Sequence, residues 1–109
     1  MLVRDRWIAR AAVLALVGLL ACGPKPHVPK VLEVEIRSMA YTPDALAVSV
    51  GDTVEWTNYD LVPHTVSSST FDSKSIAPKQ SWSYVATQRG DFAYNCTVHK
   101  MMVGAIIVR

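Results

Sequence analysis

The chain is short of nearly everything that catalysis or nucleic-acid binding would draw on. No carboxylate pair, activated-nucleophile motif or glycine-rich phosphate loop can be found in its 109 residues. That leaves little with which to build an acid–base or group-transfer site. Charged residues make up only 18% of the chain, and no basic stripe gathers them, which argues against a nucleic-acid partner. There are only three histidines and two cysteines. The longest apolar run, residues 11–21, falls well short of the roughly 20 residues that a membrane-spanning helix needs. Beyond that run no segment keeps a helical period, so a helical bundle is excluded.

What is present begins with an export layout. Arg4, Arg6 and Arg10 stand against a single Asp5, and the run from Ala11 to Ala21 follows directly. A positive segment, an apolar segment and a small residue in that order predict an export signal over residues 1–21. Leu19-Leu20-Ala21-Cys22 resembles the lipobox of bacterial lipoproteins, in which the cysteine is acylated and becomes the new N-terminus. The resemblance implies lipidation at Cys22 and a chain held to a membrane, at the periplasmic or cell-surface side. The plainer alternative is a signal cleaved near Ala21, with Cys22 an incidental thiol. Several acyl chains anchor stably where one binds only marginally.

Removing the signal changes the charge. Taking Arg4, Arg6, Arg10 and Asp5 from 11 basic and 9 acidic residues leaves eight of each. The mature chain is therefore formally neutral, and docking to a partner leans on apolar surface rather than on long-range steering. It also leaves Cys96 as a solitary thiol in an exported domain. A Cys22–Cys96 disulfide would account for it, but is incompatible with acylation. Metal ligation accounts for it better, because a coordinated thiolate is deprotonated and occupied.

Residues 22–30 read as a linker and anchor. Pro24, Pro26 and Pro29 favour polyproline II and withhold backbone donors. At about 3.1 Å per residue such a spacer would hold a globular head roughly 25 Å from Cys22. His27 lies inside it and is expected to be solvated. From Val31 to Arg109 the pattern turns to period two, with strands expected over Val31–Ile36, Ala45–Val50, Thr53–Asn58, Ser81–Ala86, Phe92–Cys96 and Val103–Val108, and a short one at His64–Ser67. Phe71 to Lys79 reads as loop. Seven or eight short strands with frequent turns predict an all-β, Greek-key β-sandwich over residues 31–109. Trp56, Trp82, Tyr84, Phe92, Leu46, Val48, Val54 and Ile106 are its expected core.

Cys96, His99 and Met102 bracket a short loop between two expected strands, and His64 stands far upstream in Val62-Pro63-His64-Thr65-Val66. One thiolate, two imidazoles and a weak thioether form the coordination set of an electron-transfer copper site. Taken singly, His64 could be structural, Cys96 and His99 could be half a zinc site, and the two methionines could be apolar packing. A closed zinc site would need another ligand, and only His27 is uncommitted. Met101 competes with Met102 for the axial place.

With those ligands in order, the chain resembles the cupredoxin (type 1 blue-copper) family, most closely its amicyanin and plastocyanin branch. Met39-Ala40-Tyr41-Thr42-Pro43-Asp44-Ala45-Leu46, Val50-Gly51-Asp52-Thr53-Val54-Glu55-Trp56-Thr57-Asn58, Pro63-His64 and Gly90-Asp91-Phe92-Ala93-Tyr94-Asn95-Cys96 carry the resemblance alongside the ligands. It implies one copper ion cycling between Cu(I) and Cu(II), held by His64, Cys96, His99 and Met102, with Met101 left at the surface. It further implies that His99 shows its ring edge at an apolar patch, for which Met39, Val62, Pro63, Val98 and Met101 are the candidates. Two positions depart from the pattern. Thr65 stands where the family commonly has an Asn that braces the ligand loops, and Lys100 stands where a Pro is frequent.

The expectation is a monomeric one-electron carrier that meets redox partner proteins transiently, through an interface at the small end of the range. Copper storage or delivery is the alternative, and would favour exposed, exchangeable ligands. An enzyme is disfavoured, since catalytic copper needs further imidazoles and an open position.

Overall fold

The computed structural model describes residue 23 and residues 25–109. Seven strands form there: β1 Val31–Arg37, β2 Ala40–Thr42, β3 Ala45–Val48, β4 Thr53–Asn58, β5 Ser81–Val85, β6 Gly90–Asn95 and β7 Val103–Val108. They make two sheets, ordered β2-β1-β4-β5 and β3-β7-β6. The expected export signal and Cys22 lie outside the described residues.

Alternation does the sorting. Along β4, Val54, Trp56 and Asn58 turn inward while Thr53, Glu55 and Thr57 stay partly exposed, as period two demands. β1 runs parallel to β4 with Val34 opposite Trp56, and β3 runs parallel to β7. Antiparallel β5 and β6 flank them, with Trp82 opposite Trp56 and Tyr94 opposite Gly104. Val34, Ile36, Val54, Trp56, Ile106 and Val108 are fully buried between the sheets. Trp82, Tyr84, Phe92 and Leu46, expected in the core, pack against it only half-buried. β5 has a partner on one side only, so its inward side chains sit at the rim of the sandwich.

The sandwich has two ends, and the strand directions fix what lies at each. Asp52 precedes β4 and Asn58 closes it, so the two ends stand apart by about 20 Å, the length of a six-residue strand. At the first end the chain preceding β1 is docked rather than free: Thr53 N donates to Lys30 O, and Lys30 N donates to Asp52 Oδ1. The His27 ring also reaches Asp52, Nε2 to Oδ1 at 2.5 Å. His27 stays exposed, as expected of a linker residue, but its ring is tied to Asp52 rather than free. A buried carboxylate needs donors, and the imidazole supplies one.

At the second end β1 and β2 are joined by a tight turn in which Ser38 and Met39 both have positive φ, 52° and 61°. Two left-handed residues suit a two-residue hairpin, but neither is a glycine, so the turn requires outside support. Asp60 provides it, Oδ1 accepting from Ser38 N at 2.7 Å and Oδ2 from Met39 N at 2.9 Å.

Candidate metal centre

β6 ends at Asn95, and the chain leaves the sheet with Cys96. The loop back to β7 is closed by two backbone bonds, Cys96 N to Met102 O at 3.1 Å and Met102 N to His99 O at 2.9 Å. Cys96, His99 and Met102 therefore share one rigid frame. His64 enters from a separate segment, held by reciprocal bonds with Ile76 at 3.2 and 2.7 Å. This segment forms isolated bridges rather than the short strand expected over His64–Ser67. Buried Asn58 steadies the same region, its amide donating to Val62 O and Ile76 O while its oxygen accepts from Asp60 N.

Folding brings three of the four expected ligands to one point. Cys96 Sγ lies 3.9 Å from His64 Nδ1 and 3.7 Å from His99 Nδ1, and the two Nδ1 atoms lie 3.1 Å apart. His64 and Cys96 are buried, and His99 is half-buried. Among the described residues, these three donor atoms form a cluster within 4.8 Å of one another that could hold a metal ion. Thiolate plus two imidazoles is a borderline-soft set suited to copper. Met102 is 2% exposed and Met101 86%, so of the two thioethers it is Met102 that the fold keeps inside.

The surroundings are built to hold this geometry. Thr65 N donates to Cys96 Sγ at 3.4 Å. Thr65 Oγ1 accepts from Thr97 N at 2.8 Å and lies 3.1 Å from Thr97 Oγ1, linking the two ligand segments. Tyr41 donates its hydroxyl to Thr65 O. Burial pushes the Tyr41 phenol far up, with the nearby Cys96 and Tyr94 adding to it, so this donor stays neutral. On the far side of His64, Nε2 lies 2.9 Å from Asp60 Oδ2. Burial opposes ionisation of Asp60, but the Met39 and Ser38 amides and then His64 outweigh it, and the carboxyl is held below its usual range.

Sequence reasoning did not single out Asp60. A carboxylate four residues before a histidine in a loop is a common pattern, and only the fold shows what it faces. Of the expected surface residues, Met39, Val62, Pro63, Val98 and Met101 are all exposed. Leu61, beside them in the chain and 91% exposed, was missed because a lone leucine in a turn gives no signal. A surface groove lined by Ser67, Ser68, Ser69, Ala93, Asn95 and Val103 offers hydroxyls and an amide rather than metal ligands.

Comparison with known proteins agrees with this geometry. A family described as "Cupredoxin-like domain" matches residues 9–108. Amicyanin of Paracoccus denitrificans is 33% identical over 82 residues, covering 69% of this chain and 63% of that protein. Plastocyanin of Synechococcus sp. (strain JA-2-3B'a(2-13)) is 34% identical over 90 residues, covering 64% of each. The alignments thus span a little under two thirds of the length of these relatives. Among solved structures, the Cu(I) form of a methionine-to-alanine mutant of amicyanin superposes with a TM-score of 0.69 at 30% identity, over 76% of this chain and 86% of that one. The oxidized state of a proline-to-alanine mutant of amicyanin also gives 0.69, at 31% identity and 72% and 82% coverage.

Proposed function

Because this chain belongs to the cupredoxin-like domain family, we propose that it is a one-electron carrier, exported and held to a membrane through acylated Cys22. The observation that carries the reading is the convergence of His64 Nδ1, Cys96 Sγ and His99 Nδ1 from two separate segments. Relatives named amicyanin and plastocyanin, and a solved amicyanin described as a Cu(I) form, support copper as the ion. Met102 would complete the set as a thioether donor, favoured over Met101 by its burial and by the two backbone bonds that tie it to Cys96 and His99. A copper ion bound there supplies a one-electron Cu(I)/Cu(II) couple. The residues do the rest. Thr65, Asn58 and the Ile76 pairing hold His64 and Cys96 in place, so little rearrangement is needed when the charge at the centre changes.

His99 is the half-buried ligand and therefore the route by which an electron reaches the surface. Exposed Val62, Pro63, Val98 and Met101, with Leu61, flank the ligand segments in the chain, Met39 joins them through the turn that Asp60 holds, and together they offer an apolar face to a redox partner. Such a face suits a small, transient interface. Burial of two ligands favours retention of the ion over delivery, which would need exchangeable donors. The linker over residues 22–30 joins the anchor to the copper-binding unit over 31–109, in which the chain acts as a carrier rather than an enzyme.

The test is direct. Cu(II) added to the purified protein should give intense blue absorption, and Cys96→Ser should abolish it, because the colour arises from thiolate-to-copper charge transfer. A wild-type protein that binds Cu(II) without colour overturns the reading. Rapid copper loss to a chelator together with slow electron self-exchange would turn it toward delivery.

A further inference from the structure

We propose that Asp60 is a positioning residue for His64: its carboxylate fixes which ring nitrogen carries the proton, aims the other at Cys96 and His99, and ties that ring to the Ser38–Met39 turn. The inference rests on the metal-site reading above and deepens it.

An ionised carboxylate accepts hydrogen bonds and donates none. Asp60 Oδ2 lies 2.9 Å from His64 Nε2, so the proton of a neutral imidazole must sit on Nε2. That leaves Nδ1 with a free lone pair, and Nδ1 is the atom that faces Cys96 Sγ and His99 Nδ1. The contact is sheltered, since the His64 side chain is fully buried and that of Asp60 is 15% exposed. A charged acceptor behind a ligand imidazole makes the ring a stronger donor than a neutral acceptor would. The stronger donor favours the more highly charged ion, so Asp60 should bind Cu(II) more tightly relative to Cu(I) and lower the reduction potential.

The same carboxylate does a second thing. It accepts from Ser38 N at 2.7 Å and Met39 N at 2.9 Å, holding both residues of a turn whose backbone is left-handed. Met39 is exposed on the face assigned to partner docking. Every polar contact of Asp60 thus points either to the ligand ring, to that turn, or to Asn58, whose Oδ1 accepts from Asp60 N. Movement of the turn on docking would shift the acceptor behind His64, with no other residue needed to connect them.

Asp60→Asn removes the charge and replaces one acceptor atom with a donor, so three N–H groups cannot all remain satisfied. In the metal-free wild type, nitrogen-15 NMR should show His64 protonated at Nε2 and not at Nδ1. Asp60→Asn should lose that fixed tautomer and speed amide exchange at Ser38 and Met39. Its Cu(II) affinity, by competition with a chelator, should fall by tenfold or more while Cu(I) affinity changes little. Each tenfold change in that ratio raises a one-electron potential by about 59 mV. A Cu(II)-to-Cu(I) affinity ratio within twofold of wild type overturns the proposal. So does a metal-free wild type with the His64 proton on Nδ1, a measurement that stands even if Asp60→Asn does not fold. A wild type that binds no copper sinks the carrier reading, yet the tautomer still decides what Asp60 does.

Discussion

Cys96 has no solvent exposure, one backbone donor at its sulfur and a neighbour, Thr65, that binds across to its own loop. Thr65 stands where an Asn brace is common in the family, and the fold shows how a shorter side chain does the work. Its hydroxyl reaches Thr97 N directly. Thr65→Val should therefore destabilise the metal-free protein by about 0.5–1.5 kcal/mol, the net worth of an ordinary hydrogen bond, as read by urea unfolding. The cost stays modest because water can reach Thr97 in its place. Met101 makes the opposite case. At 86% exposure it is a surface group, so Met101→Glu should leave the copper spectrum unchanged. It should also slow electron self-exchange, since two like charges then meet at the contact face. A collapsed spectrum would make Met101 a ligand. At this scale the sequence was informative for Cys96, His99 and Met102, because ligand spacing within one loop is local. It was silent on Asp60, whose role depends on a turn more than twenty residues upstream.

Among the elements, strands of four or more residues were readable from alternation, and β4 and β7 match their expected bounds. β2 was not read as a strand of its own, because three residues carry too little period to register. The segment around His64 looked like a strand from its β-branched neighbours but lacks a continuous partner, and only bridges form. Core membership was legible in part: Trp56, Val48, Val54 and Ile106 are buried as expected, but Val34, Ile36, Tyr41 and Tyr94 are buried more deeply than Trp82 and Tyr84, since sheet position outranks side-chain size. Tyr94 also explains a glycine. A Cβ at Gly104 would meet Tyr94 Cζ at 2.4 Å and its hydroxyl at 2.5 Å, because β6 and β7 place the two residues opposite each other. Gly104→Ala should thus cost about 1–3 kcal/mol by overpacking. Thermal unfolding would show it, and the loss should shrink in a Tyr94→Leu background, where the obstructing ring is gone. An equal loss in both backgrounds would place the cost in the β7 backbone instead.

Across the whole molecule, the two ends of the sandwich divide the labour. The metal ligands and the apolar residues gather where β4 and β6 end, while the N-terminal segment joins at the start of β4. Under the proposed anchoring at Cys22, a tether leaving from His27 would hold the metal-ligand end away from the membrane. The His27–Asp52 contact makes that arrangement sensitive to acid. The His27 hydrogen bond, then the Ser49 amide, and against them burial, set the Asp52 carboxyl at about 2, below its ordinary 3.8. A carboxyl lowered on folding contributes stability that is fully present above the unfolded value and is lost as pH falls through the folded one. For Asp52 that window runs from about pH 4 down to about pH 2. His27→Ala removes the largest cause of the lowering, so the Asp52 carboxyl should titrate at higher pH, visible as a shifted carbon-13 transition at that side chain. Wild type should be more stable than the variant at pH 4 to 5, and the gap should narrow as pH falls through about 2, below which Asp52 is protonated in both. A gap that stays constant through that window would mean that His27 contributes packing alone, and the tether would then be held by Lys30 and its backbone bonds rather than by charge.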